Sequence, residues 1–210
     1  MSEPIVFGAP YSVYVRIVRL TLAEKGVGYQ LVPVDVFADG GPPTAHLSRH
    51  PFGKIPAFEH DGMTIFETAA ITRYVDEAFA GPRLQPDAPR DRARMNQATG
   101  LLDAYAYRAM VWDIYVERVS NPRDGKPSDE ARIAAGLPVA QTCLDVLETL
   151  VPGSTWLAGD TLSLADLHAA PMFAYFLKTP EGAAMIKRQP RLSAWWAAMS
   201  ARPSFAATQD

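Results

Sequence analysis

Residues 5–36, IVFGAPYSVYVRIVRLTLAEKGVGYQLVPVDV, decide how the first part of this chain folds. Ile5, Val6 and Phe7 form a short apolar run that stops at Gly8-Ala9-Pro10, the pattern of a buried strand entering a turn. From 12 to 25 apolar residues return at helical spacing, with Val15, Val18 and Leu22 followed by Ala23. Gly26 and Gly28 end that helix, because glycine takes the positive φ that a helix C-terminus asks for. Residues 29–36, with Leu31, Val32, Val34 and Val36, read as a second strand. Strand, helix and strand in this length predict a parallel pair with a right-handed crossover.

Further along, 39–44 (DGGPPT) is a loop. Residues 57–59 and 63–66, separated by His60-Asp61-Gly62, predict a hairpin, and 67–80 repeats Ala70, Ile71, Tyr74, Val75 and Ala78 as a helix does. The first 82 residues are therefore expected to form an α/β domain of order β-α-β, loop, β-β-α. Residues 81–90 (GPRLQPDAPR) hold three prolines, and a linker is expected at 83–90. Residues 91–210 are expected to be all helical, with helices near 91–119, 128–150, 163–177, 182–188 and 191–201. Ser163 and Asp166 stand at capping-box spacing, with Leu162 and Leu167 as a staple. That motif is structural and marks a helix start.

Composition narrows the function classes. Net charge is -3, with six Lys and Arg against nine Asp and Glu in 1–82 and equal numbers beyond. No basic face for nucleic acid is expected. Cys143 is the single cysteine, which excludes an intrachain disulfide and a cysteine-rich metal site. It falls in a core pattern with Val139, Val146, Leu147 and Leu150. No apolar run approaches the roughly 20 residues that span a bilayer. No basic region followed by an apolar stretch opens the sequence, so a cytoplasmic protein without membrane association is expected. Walker, dinucleotide, nucleophile-elbow and zinc-protease motifs are absent from the sequence. His46, His50, His60 and His168 are scattered, so each reads as a surface or loop residue and no metal is expected.

Three segments carry chemistry. Gly8-Ala9-Pro10-Tyr11-Ser12 leads straight into a helix, whose free amides and dipole favour an anion there. The Ser12 hydroxyl either caps the helix or points outward and donates to a bound anion such as a thiolate. Ile55-Pro56, just before a strand, is a candidate cis peptide that would offer the Ile55 backbone to a ligand; an ordinary trans proline opening a strand is the alternative. At Phe66-Glu67-Thr68, a strand becomes a helix. Thr68 and the first-turn amides could hold a carboxylate and Glu67 an ammonium, or Glu67 is simply a favourable first-turn acid. Together these segments outline a pocket for a zwitterionic, peptide-like ligand.

The stretches 6–12, 22–26, 47–59 (LSRHPFGKIPAFE), 66–71, 157–168 (LAGDTLSLADLH), 188–195 and Arg202-Pro203 resemble the glutathione S-transferases over the whole chain. The resemblance is to the serine type, particularly the phi class of plants and its bacterial relatives. It implies a thioredoxin-like N-terminal domain, an all-α C-terminal domain, a cis Ile55-Pro56, and glutathione as co-substrate with no metal. It implies Ser12 as the catalytic hydroxyl, with Lys54 near the glycyl end, Ile55 and Pro56 against the cysteinyl moiety, and Glu67 and Thr68 at the γ-glutamyl end. Tyr11 and Tyr14 flank Ser12 and are alternative donors. Residues 40–43 (GGPP) supply none of the cations that relatives place there, so Lys54 and His46 are expected to substitute. Asp103 matches an acid that reaches the γ-glutamyl amine across a homodimer, and Phe52 an aromatic residue inserted into the partner subunit. Tyr11, Phe37, Met110, Trp112, Tyr115 and Phe173 are expected to wall the pocket for a hydrophobic electrophile. The resemblance implies conjugation of electrophiles in detoxification, and peroxide reduction. A ligandin-like carrier of apolar ligands on the same fold is the alternative, and an assembly module a third.

Overall fold

The computed structural model describes residues 2–150, 153 and 155–209. By contacts the chain divides into two units, Met1–Arg83 with Arg202–Asp210, and Leu84–Ala201. The tail thus groups with the first unit rather than with the helices that precede it in sequence.

The first unit is built on a mixed four-stranded sheet of order β2-β1-β3-β4. β1 (Ile5–Phe7) lies parallel to β2 (Gln30–Val32) and antiparallel to β3 (Ala57–His60), which pairs antiparallel with β4 (Met63–Phe66). Between β1 and β2 runs helix α1 (Val13–Lys25), ended by Gly26 at φ 68. The expected second strand is cut to three residues. Pro33 has no N–H to give the ladder, and the last backbone link across this edge is Val34 N–H to Gly8 O at 3.4 Å. The hairpin turn is two residues long, with Asp61 and Gly62 both at positive φ (46° and 80°). That geometry matches the right-handed twist of the flanking strands.

Alternation along the strands separates two faces. Val6 and Phe58 face a fully buried cluster with Val15, Val18 and Leu22 of α1 and Ile71 and Val75 of α3 (Thr68–Ala78). Phe7 and Ala57 face the other way, packing with Val34, and the Arg49 guanidinium covers the Phe7 ring at 4.1 Å. A short helix that the sequence reading missed, α2 (Thr44–Leu47), lies in the loop before β3. The buried Lys25 ammonium donates to Asp76 Oδ1 at 3.1 Å, to Asp76 O at 2.9 Å and to Pro82 O at 3.0 Å, tying the end of α1 to the end of α3. The tail returns through α10 (Pro203–Ala206). Arg202 forks onto Glu24 at 2.6 and 2.7 Å, and Ser204 also donates to Glu24.

The second unit is helical. α4 (Pro89–Leu101) continues without a break into a π-type helix, Leu102–Ser120, and then α5 (Asn121–Arg123). Nothing in the local sequence explains the widening. α6 (Glu130–Leu150), α7 (Leu164–Phe176), α8 (Pro180–Ile186) and α9 (Pro190–Ser200) complete the unit. Eleven of the thirteen residues of α7 are buried, the signature of a helix surrounded on all sides. One expectation is corrected here: by length and composition alone, α6 is long and apolar enough to cross a membrane. Its buried residues Ile133, Gly136, Ala140, Cys143, Leu144 and Leu147 recur at three- and four-residue spacing, a stripe packed against neighbouring helices. Three helix starts fall earlier than expected. Pro89, Pro180 and Pro190 open helices instead of preceding them, because proline suits a first-turn position whose N–H has no acceptor.

Candidate active site

The register of the sheet explains where the site gathers. Phe7 pairs with Ala57, and Ala57 with Phe66, so the end of β1, the start of β3 and the end of β4 form one row. One step beyond that row lie Gly8 to Ser12, then Ile55 and Pro56, then Glu67 and Thr68. Three segments far apart in sequence therefore meet at one end of one sheet.

Ser12 is the N-cap of α1, with extended backbone (φ -65°, ψ 130°), and its carbonyl accepts from Arg16 N–H at 2.9 Å. Its hydroxyl makes no capping bond and has no partner among the described residues. Of the two sequence readings, the geometry favours the outward one: the hydroxyl makes no cap, and it stands beside first-turn amides that have no intrahelical acceptor. Gly8 is required for this corner, since a Cβ there would lie 2.4 Å from Val15 Cγ2. Tyr11 is half-exposed, and burial together with the Asp35 carboxylate raises its phenol above the usual range. Ser12 is the one of the two that stands at the N-cap of α1. Tyr14 is half-buried on α1.

The Ile55-Pro56 peptide is cis. Glu67 sits at φ 71°, a left-handed conformation that a glutamate adopts at a cost of order 1–3 kcal/mol. Its carbonyl accepts from Ala70 and Ile71 N–H, while its exposed carboxylate makes no hydrogen bond among the described residues. Thr68 opens α3, nearly buried, its hydroxyl likewise without a partner among the described residues. Lys54 is exposed, and its ammonium is unpaired among the described residues. The site thus offers one hydroxyl and helix N-terminus at α1, a second pair at α3, one free carboxylate and one free ammonium.

The histidine readings need correction. All four are buried, with 1–4% of their surface exposed. His46 gives its Nε2–H to the Lys54 carbonyl at 2.7 Å. His60 pairs with the Tyr74 hydroxyl at 2.7 Å, and His168 with Asp103 at 2.7 Å. His50 packs its ring on Phe66 at 4.7 Å between centroids, and burial lowers its pKa. The four-residue spacing of His46 and His50 was the available signal that they share a helical-turn face. Among the described residues no cluster of metal-ligating groups occurs.

The expected electrophile wall divides. Phe37 and Tyr11 are exposed, at 67% and 50%, and Trp112 is half-buried. Met110 and Phe173 expose no surface, and Tyr115 only 7%. Phe173 packs edge-on against Trp195 at 4.9 Å, and Tyr115 against Tyr175 at 4.6 Å. These three are covered by the packing of the helical unit, as residues at helical spacing commonly are. Phe52 is 72% exposed.

Family comparison agrees with this geometry. Residues 2–77 match the glutathione S-transferase N-terminal domain, and 104–203 the C-terminal domain. The chain is 33% identical to glutathione S-transferase F13 of Arabidopsis thaliana over 202 residues, covering 95% of this chain and 92% of that one. The structure of glutathione transferase F7 from Populus trichocarpa is 33% identical with a TM-score of 0.86, over 98% of this chain and 97% of that one. A maize glutathione S-transferase I, solved with an atrazine glutathione conjugate, is 27% identical with a TM-score of 0.85, over 99% and 96%. The plant relatives are those the phi-class resemblance implies. A thioredoxin-like sheet with an unpaired serine at its first helix, a cis proline opposite and a helical second unit place this chain in the glutathione S-transferase family.

Proposed function

We propose that this protein binds glutathione at the sheet end described above, holds its sulfur as a thiolate beside Ser12, and adds that sulfur to hydrophobic electrophiles. A free thiol has a pKa of about 8.5, so only a few per cent is ionised at neutral pH. A hydroxyl that donates to the sulfur, at the positive end of a helix, stabilises the anion, and each unit of lowering corresponds to about 1.4 kcal/mol. The thiol proton leaves to solvent. The sulfur lone pair then forms the new bond to carbon, and the electrophile either carries the displaced pair away on a leaving group or takes a proton after addition. Ser12 remains a hydrogen-bond donor throughout and forms no covalent intermediate.

The remaining groups orient the tripeptide. Thr68 and the first amides of α3 receive the γ-glutamyl carboxylate, Glu67 its ammonium, the Ile55 backbone the cysteinyl amide, and Lys54 the glycyl carboxylate. Holding both ends fixes the sulfur at Ser12, which makes attack effectively unimolecular. The observation that carries this reading is the Ser12 hydroxyl, which stands at a helix start yet makes no cap. The relative that holds an atrazine glutathione conjugate supports the conjugation chemistry. The finer reading is a cytoplasmic homodimer acting in detoxification, with Phe52 at the subunit boundary, Asp103 toward the partner's glutathione, and organic peroxides as further substrates. The test is incubation with glutathione and a chlorodinitrobenzene, followed by mass spectrometry of the product. A conjugate formed faster than in the protein-free control supports the reading; equal rates overturn it.

A further inference from the structure

We propose that His46 is a positioning residue for glutathione, acting through the Lys54 carbonyl. This rests on the glutathione reading above and assigns a role that the sequence reading gave to a different chemistry. A carbonyl oxygen can only accept, so the 2.7 Å contact requires that His46 carry its proton on Nε2. The ring is 2% exposed, and its Nδ1 is buried with no hydrogen-bond partner. Among the described residues the ring's one polar contact is therefore the bond to Lys54.

That bond falls on a segment with a demanding task. Gly53, Lys54, Ile55 and cis Pro56 must bring the Lys54 ammonium to one end of the tripeptide and the Ile55 backbone to its middle. Residues 40–43 (GGPP) offer no second cation. The α2 turn braces both sides of the site. From one helical-turn face, His46 holds the Lys54 carbonyl and His50 packs on Phe66, the residue before Glu67. The Arg49 guanidinium between them bonds Glu59 at 2.7 Å and the Ala45 carbonyl at 3.0 Å, which fixes the turn to β3.

The test compares wild type with His46→Gln, His46→Asn and His46→Phe. Glutamine carries a donor at the reach of Nε2, asparagine at the reach of Nδ1, and phenylalanine keeps the ring and loses the donor. Glutathione affinity is read by calorimetry, kcat and KM with a chlorodinitrobenzene, and folding by thermal melting. His46→Phe and His46→Asn are expected to raise KM and Kd for glutathione about five- to tenfold, with kcat at saturation unchanged within twofold. His46→Gln is expected to restore both constants to within twofold. Equal constants for the Gln and Phe variants, or a fall in kcat at unchanged KM, overturn the proposal. The 15N spectrum of labelled wild type without glutathione reads the tautomer directly: a protonated Nε2 supports the contact, and a protonated Nδ1 overturns it. Wild type that fails to bind millimolar glutathione while showing protonated Nε2 overturns the functional reading, and the positioning role with it.

Discussion

Two kinds of helix start occur in this molecule, and they differ in where their hydrogen bonds go. In the helical unit the starts of α7, α8 and α9 are closed from within, while α4 begins at Ala88 without a side-chain cap. The Asp166 carboxylate, wholly buried, accepts from Ser163 N–H, Ser163 Oγ–H, Leu157 N–H and Trp195 Nε1–H, all at 2.8–2.9 Å. Glu148 caps α9 through the amides of Arg191 and Leu192, both at 2.9 Å. Thr179 accepts from Gly182 N–H at the start of α8. In the sheet unit, α1 begins at Ser12 and α3 at Glu67, and neither receives a side-chain cap. Both lie at the same end of the sheet. The buried starts of α7, α8 and α9 are satisfied by side chains of the chain itself; the two at this sheet end are the ones proposed to meet a ligand.

The largest effect that sharpens this contrast is expected at Asp166. Asp166→Ala strands three N–H donors and one hydroxyl in the core, each unpaired group costing about 1–3 kcal/mol. A loss of about 3–5 kcal/mol is expected, read by thermal melting as a fall in Tm of about 10 °C. Activity per folded molecule should be preserved. A fall in Tm of less than 2 °C would contradict the stabilising role of these four bonds.

Ser12→Ala should behave in the opposite way. Alanine at an N-cap ordinarily costs about 1 kcal/mol, but this hydroxyl caps nothing, so Tm is expected to stay within 1 °C. Turnover should drop about ten- to hundredfold, the worth of a hydrogen bond to a charged group. A clear fall in Tm with activity intact would return Ser12 to the class of Ser163.

The α3 start should respond in binding. Glu67→Gln removes the charge proposed to face the γ-glutamyl ammonium and is expected to raise KM for glutathione about five- to tenfold with kcat held. The smallest effect concerns Cys143. Burial pushes its thiol up to about 11, so at pH 8 only about 0.1% is thiolate. Ellman's reagent should leave it unlabelled in the folded protein and label it fully in denaturant. Rapid labelling of the folded protein would place it outside the core.

How far the sequence reads depends on whether the signal is local. β1, α1, the Asp61-Gly62 hairpin and the Ser163–Asp166 box each rest on residues within a few positions of one another, and each was legible. The proline at each helix start misled in a consistent way, since the residue that breaks a helix interior also opens a helix. β2 ended early because Pro33 withdraws one ladder donor, a cost visible only once the partner strand is known. The polar end of the site was legible as residue types, but its convergence needed the register that sets Phe7, Ala57 and Phe66 in one row. His46 was legible as a residue and not as a role, because its partner is a backbone carbonyl that no side-chain pattern reveals. Met110 and Phe173 show the limit from the other side: helical spacing marks a buried face, and burial alone does not separate a wall from a core.

The most direct measurement is the ultraviolet difference spectrum near 240 nm of the protein titrated with glutathione from pH 5 to 9, for wild type and Ser12→Ala. Ionisation of the bound thiol is expected with a midpoint well below the free value of about 8.5 in wild type. In the variant that shift should be lost while glutathione still binds. A depressed midpoint that survives in the variant would contradict the account and move the donor to Tyr11 or Tyr14.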